Sequence, residues 1–189
     1  MSLLTTIKKH KFASFFIFIL FVAIAILIFL PEKKQEPTTT TPAEGAQWQK
    51  LIPGKSTKED LINILGDPIK STEENGRDIL EFKSTSSVIN HKAYLENGTA
   101  IFLDEIVTLE DNVSLEELRK QYGVSNDILY GDDAYNGYYL FVYPDKGVAY
   151  LGNPSNDVVL EIWYFTPMTF EKFNQTWAPD YKTTLSPNF

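Results

Sequence analysis

The strongest constraint on this chain is a pattern that it states twice. Thr57-Lys-Glu-Asp60-Leu61-Ile-Asn-Ile-Leu65-Gly66 sets a hydroxyl at a helix N-cap, an acid three residues on, apolar residues at Leu61, Ile64 and Leu65, and a glycine stop. Fifty-seven residues later, Ser114-Leu-Glu-Glu117-Leu118-Arg-Lys-Gln-Tyr122-Gly123 repeats the cap, the acid, the apolar positions of Leu61 and Leu65 and the glycine at the same spacing. Self-similarity at a fixed spacing implies tandem supersecondary units that bury a shared core. Each predicted helix is followed by strand patterns. The first unit offers Ile79 to Lys83, Val88 to Leu95 and Thr99 to Val107, with an Asn97-Gly98 hairpin signal. The second offers Tyr138 to Tyr143, Val148 to Leu151 and Val158 to Phe165, with a turn around Gly147. After these, Phe170, Phe173 and Trp177 fall on one helical face and predict a closing helix over 169–177. The expected fold is therefore α+β. Two tandem helix-plus-three-strand units, about 47–108 and 109–167, form an antiparallel sheet with short helices on one face.

Ahead of this domain, Phe12 to Leu30 reads FASFFIFILFVAIAILIFL without a charge, a proline or a glycine. At 1.5 Å per residue it is long enough to span a hydrocarbon core, so a single transmembrane helix is expected to precede the sheet. A cleaved signal peptide has a shorter apolar region and a small-residue cleavage site, whereas this run ends Ile28-Phe29-Leu30-Pro31. Lys8, Lys9 and Lys11 lie in the flank 1–11, which predicts a cytoplasmic N-terminus and a domain outside the cytoplasm. Residues 31–46 carry three prolines and a threonine run and read as a tether that spans up to about 45 Å when extended. The domain then occupies 47–180, and 181–189 is a tail.

Charge and composition exclude several functions. Three of the 17 Lys plus Arg precede the apolar run, leaving 14 cations against 25 anions beyond it. So acidic a body gains nothing by counterion release on a phosphate backbone, and no basic stripe offsets it, so no nucleic-acid partner is expected. With no cysteine there is no disulfide, no thiolate chemistry, no Cys-ligated zinc and no acylated lipoprotein cysteine.

The stretch Leu51-Ile52-Pro53-Gly54-Lys55-Ser56-Thr57 through Leu61, running on to Leu65-Gly66-Asp67-Pro68, resembles the "PGxTxxxVxxxLGxP" opening of the SmpA/OmlA (BamE) family of envelope proteins. Two such units in tandem resemble the architecture of the β-lactamase inhibitory protein. The resemblance covers about Trp48 to Phe165 and is specific in its first twenty residues. It implies a small helical layer on an antiparallel sheet that serves in protein–protein contact. The chain departs from the pattern in lacking the lipoprotein cysteine and in reading Gly123-Val124-Ser125 where the first unit has Gly66-Asp67-Pro68.

Few residues suggest catalysis. Gly54, Gly66 and Pro68 read as backbone punctuation, and Pro53-Gly54-Lys55-Ser56 has too few glycines for a phosphate loop. His91 is the only histidine beyond the membrane flank, too few for a histidine metal site. The acid pairs Glu59/Asp60 and Glu116/Glu117 suit helix N-termini. Gly131-Asp132-Asp133-Ala134-Tyr135-Asn136-Gly137 is rich in oxygen but lacks the EF-hand spacing, so no metal and no cofactor are expected. Three Asn-x-Ser/Thr triplets carry no weight. The aromatic strands are the best candidates. Tyr139, Phe141 and Tyr143 share one side of their strand, as do Glu161, Trp163 and Phe165 of theirs, and an exposed sheet face of this kind would anchor a protein partner. The alternative is that these rings fill the core. The expectation is a non-catalytic, membrane-anchored, extracytoplasmic module that binds another envelope or membrane protein. A sensor of a small ligand or wall polymer is the alternative, and a hydrolase using acids such as Asp132 or Glu161 comes after it.

Overall fold

The computed structural model describes residues 45–86 and 88–185. The flank 1–11, the apolar run Phe12 to Leu30 and all but the last two residues of the tether lie outside the described residues. No helix among the described residues is long and apolar enough to cross a membrane.

The chain forms α1 (Lys58–Leu65), β1 (Lys70–Glu74), β2 (Arg77–Phe82), β3 (His91–Glu96), β4 (Thr99–Ile106), α2 (Leu115–Tyr122), β5 (Asp127–Leu129), β6 (Tyr139–Tyr143), β7 (Val148–Asn153), β8 (Val158–Phe165) and α3 (Phe170–Trp177). Short 3₁₀ turns at Leu109–Asp111 and Asp132–Asn136 complete it. The strands make one eight-stranded sheet in the order β1-β2-β3-β4-β8-β7-β6-β5, antiparallel throughout.

This corrects the expected two helix-plus-three-strand units. The architecture is mostly β, and each unit is a helix followed by a four-strand meander. Both missed strands lack the apolar alternation that marks a half-buried strand. β1 reads Lys-Ser-Thr-Glu-Glu and lies almost wholly exposed at the sheet edge, where charge blunts pairing with other chains. β5 is three residues long. The two turn signals also occupy different places in their units. Asn97-Gly98 joins the third and fourth strands of its unit, whereas the turn ending at Gly147 joins the second and third.

The repeat shows where the helices meet the sheet. Thr57, the N-cap of α1, bridges Thr99 at the start of β4, and Ser114, the N-cap of α2, bridges Val158 at the start of β8. Both caps accept from a backbone amide three residues on, Thr57 from Asp60 and Ser114 from Glu117, each at 3.2 Å. Asp60 reciprocates at 2.8 Å to close a capping box. Gly66 and Gly123 end the helices at φ 85° and 90°, a region that costs other residues strain.

The helices divide between the two faces of the sheet rather than sharing one. Leu61 of α1 and Leu115 and Leu118 of α2 pack on Leu80, Leu95, Leu103, Phe141, Tyr150 and Ile162. α3 packs on the other face, where Phe173 joins Phe102, Leu140, Trp163 and Phe165. Phe173 is fully buried, with its ring centroid 4.6 Å from that of Phe165. Phe173→Ala should therefore cost about 3–5 kcal/mol in denaturant unfolding; a loss below about 1 kcal/mol would mean that α3 is not part of the core.

Candidate functional site

The six residues expected to form an exposed sheet face do not form one. Phe141 and Tyr143 face α2 and are 6% and 5% exposed, with the half-buried Tyr139 beside them. Trp163 and Phe165 lie on the opposite face beneath α3 at 9% and 0%, and Glu161 is half-buried next to Trp163. The two triads thus belong to opposite faces, and each is covered. Alternation assigns residues to a face, but the layer that covers that face is a tertiary fact. Tyr143 is instead a tie. Its hydroxyl donates to the Gly123 carbonyl at 2.7 Å and sits 2.7 Å from that of Tyr150, which pins the C-terminal end of α2 to β6 and β7.

The remaining motif residues are structural. The Gly54 N–H donates to Ala100 O at 2.7 Å and holds the entry segment against β4. Thr57, Asp60, Leu61, Leu65, Gly66, Ser114, Leu118 and Gly123 cap, pack or stop the two helices. His91 accepts from the Ile106 N–H at 3.0 Å, and its ring lies 4.8 Å from that of Trp48. Burial holds its pKa below the usual value. Among the described residues, no three His, Cys, Asp or Glu side chains gather to hold a metal ion.

Sequence reading passed over the consecutive acids Asp104 and Glu105 in β4. Two acids in a row in a central strand send one carboxyl to each face of the sheet. Asp104 lies on the α3 face, opposite Lys92 of β3 and Trp163 of β8. Its Oδ1 is buried without a hydrogen-bond partner. Burial, reinforced by Glu161 and then Glu105 and offset in part by Lys92 and the Trp163 indole, pushes its pKa up to about 8. Glu161 accepts from Trp163 Nε1 at 2.9 Å and is also raised, mainly by burial. Tyr181 packs against Trp163 at 6.0 Å, and burial together with these carboxylates raises its hydroxyl to about 12. Neither Asp104 nor Glu161 lines any of the three clefts described below.

Glu105 points to the other face and into a groove of about 370 Å³ that runs along the seam between the repeats. Ile162 and Tyr164 of β8 and Glu105 of β4 line its base. Leu118, Gln121, Tyr122 and Glu117 of α2 form one wall, and Gln47, Trp48 and Gln49 form the other. Tyr164 donates its hydroxyl to Glu105 Oε2 at 2.7 Å, and Trp48 also hydrogen-bonds the carboxyl. Burial raises the Glu105 pKa above the ordinary carboxylate range, and both donors oppose that shift. No lysine or arginine lines the groove.

Both walls are held in place. Gln121 Nε2 donates to Tyr122 Oη at 3.0 Å, and Lys146 Nζ donates to the Tyr122 carbonyl. On the other side, Trp48 and Leu51 exchange backbone hydrogen bonds at 3.0 and 2.7 Å around Gln49 and Lys50. Both turn residues have positive φ, 50° and 75°, where Asn and Gly are normally found. Two smaller clefts lie elsewhere. One, of about 250 Å³, is lined by residues that include Leu109, Ser114 and Asp157, and one, of about 40 Å³, by residues that include Tyr130, Asp132 and Lys182.

No protein-family model matches the chain, and no curated protein does. Two solved structures are similar to it. One is a DUF4309 family protein, YjgB, from Bacillus subtilis, at 18% identity and a TM-score of 0.45, covering 66% of this chain and 88% of that one. The other is an extracellular protein containing a SCP domain from Bacillus anthracis, at 13% identity and a TM-score of 0.44. The match covers 82% of this chain and 56% of that protein. Neither likeness bears on the SmpA/OmlA resemblance of the Leu51 to Pro68 stretch, which rests on those residues alone.

The buried carboxyl pair generates a pH dependence. An acid whose folded pKa lies above its unfolded value keeps its proton longer in the native state, so stability falls as pH rises between 3.8 and about 8. Asp104→Asn should flatten that fall and raise Tm by several degrees at pH 8, with little change at pH 4. Parallel Tm-versus-pH curves for the two proteins would contradict a raised Asp104.

Proposed function

We propose that the protein is a non-catalytic, membrane-anchored recognition module outside the cytoplasm that binds another envelope or membrane protein through the seam groove. The observation that carries this reading is the groove itself. It combines a half-buried carboxyl at its base, amide side chains on both walls and a strained turn at its rim. The turn sets Gln49 and Lys50 at positive φ between the core residues Trp48 and Leu51, which fixes one wall of the groove. The anchor is supported by the uncharged run Phe12 to Leu30, and the orientation by the lysines before it.

The wall-polymer alternative is less well supported. Stacking on a sugar takes an open ring face, and at the groove Trp48 is 4% exposed and Tyr164 7%. For the hydrolase alternative, none of the three clefts described is lined by two raised carboxyls: Glu105 alone lies in the groove, and Asp104 and Glu161 lie together on the opposite face.

Site-specific photo-crosslinking tests the proposal in native membranes with the full chain. A photoreactive residue at Gln121 or Gln49 should give a discrete protein adduct, and the same residue at Glu171, exposed on α3, should not. The adduct should fall at least several-fold in the Glu105→Gln background. No adduct at the rim, or equal adducts at Glu171, would overturn the seam groove as the binding surface.

A further inference from the structure

We infer that the seam groove receives an arginine side chain of its protein partner. This deepens the proposed function and rests on it. The groove is rich in hydrogen-bond acceptors and has no cation of its own: the Glu105 carboxyl stands at its base, Glu117 and Gln121 on the α2 wall and Gln49 opposite. Glu105 draws on two neutral donors, Tyr164 and Trp48. A carboxylate has about four lone-pair sites, so these two donors leave it capacity to accept more. An anionic ligand would meet two carboxylates and no compensating charge. A neutral polyol would find no open aromatic platform.

Between the two common cations, the groove chemistry favours guanidinium over ammonium. Arginine is planar, weakly hydrated and forked, so it gives up less hydration on entering a half-buried site and can pair with a carboxylate through two parallel hydrogen bonds. Lysine concentrates the same charge in a strongly hydrated ammonium and loses more on entry. The fixed walls add selectivity. α2 is tied by Tyr143 and Lys146, and the entry segment by its Trp48 and Leu51 bridge, so the groove is already shaped before a side chain enters it.

The test is an NMR titration of full-length protein in nanodiscs with blocked Gly-Arg-Gly, Gly-Lys-Gly and Gly-citrulline-Gly, citrulline being the neutral isostere of arginine. The arginine peptide should shift the Trp48 Nε1 and Gln121 side-chain resonances with a Kd on the order of millimolar, as a single side chain allows. Lysine should bind several-fold more weakly and citrulline at least tenfold more weakly. Glu105→Gln should reduce arginine binding at least tenfold, while Tyr164 keeps an amide oxygen to donate to. Glu117→Gln, on the exposed rim where folding is not at stake, should reduce it about two- to threefold. Equal binding of citrulline and arginine, no shift with arginine, or tighter binding of a neutral N-acetylglucosamine oligomer at the same resonances would each overturn the inference. If the Gln121 crosslink persists while the arginine peptide fails, the partner groove stands and the guanidinium does not. If both fail, the proposed function falls with it.

Discussion

Everything in this domain depends on the pairing of β4 with β8. Each repeat is a meander that could end as an open edge, and the antiparallel register Phe102 to Phe165 through Ile106 to Glu161 closes the two edges on each other. The result is one sheet with both faces available for covering layers, α1 and α2 on one side and α3 on the other. An exposed edge at this seam would leave a row of unpaired amides and carbonyls. Joining them also places the only consecutive acids of a central strand where the two repeats meet. Asp104 goes beneath the α3 face, and Glu105 goes into the groove. One dipeptide thus supplies both the buried carboxyl that makes stability depend on pH and the one at the base of the candidate binding site.

Much of this architecture is legible in the sequence because local rules fix it. Caps, glycine stops and apolar spacing place α1 and α2 in register with each other, and Phe170, Phe173 and Trp177 place α3. Strands with clean alternation, such as Val158 to Phe165, are legible too. The strands that were missed carry no such signal. β1 is a solvated run of polar and charged residues, and β5 is too short to alternate. Without them each unit reads one strand short.

The site is less legible, for a physical reason. Period-2 geometry assigns Trp163 and Phe165 to one face and Phe141 and Tyr143 to another, but whether a face meets water or a helix depends on packing across the whole sheet. Here both faces are covered, so the rings that looked like an interface form the core. The legible clue was Asp104-Glu105. Charge at two adjacent positions in a strand flanked by Phe102, Leu103, Ile106 and Val107 conflicts with burial on both faces, and such local conflicts cluster where structure serves function. The groove walls depend on contacts between residues far apart in sequence, Trp48 with Glu105 and Tyr143 with Gly123, which no local pattern announces.

Because the seam pairing is the central claim, native-state hydrogen exchange of the full chain tests it most directly. The amides of Leu103 in β4, Tyr164 in β8, Leu80 in β2 and Leu140 in β6 should all exchange with the same opening free energy, that of global unfolding, because neither repeat keeps its core once the seam opens. If the β2 and β3 amides exchange several kcal/mol more easily than those of β6 and β7, or the reverse, the repeats open separately and the seam does not hold the structure together.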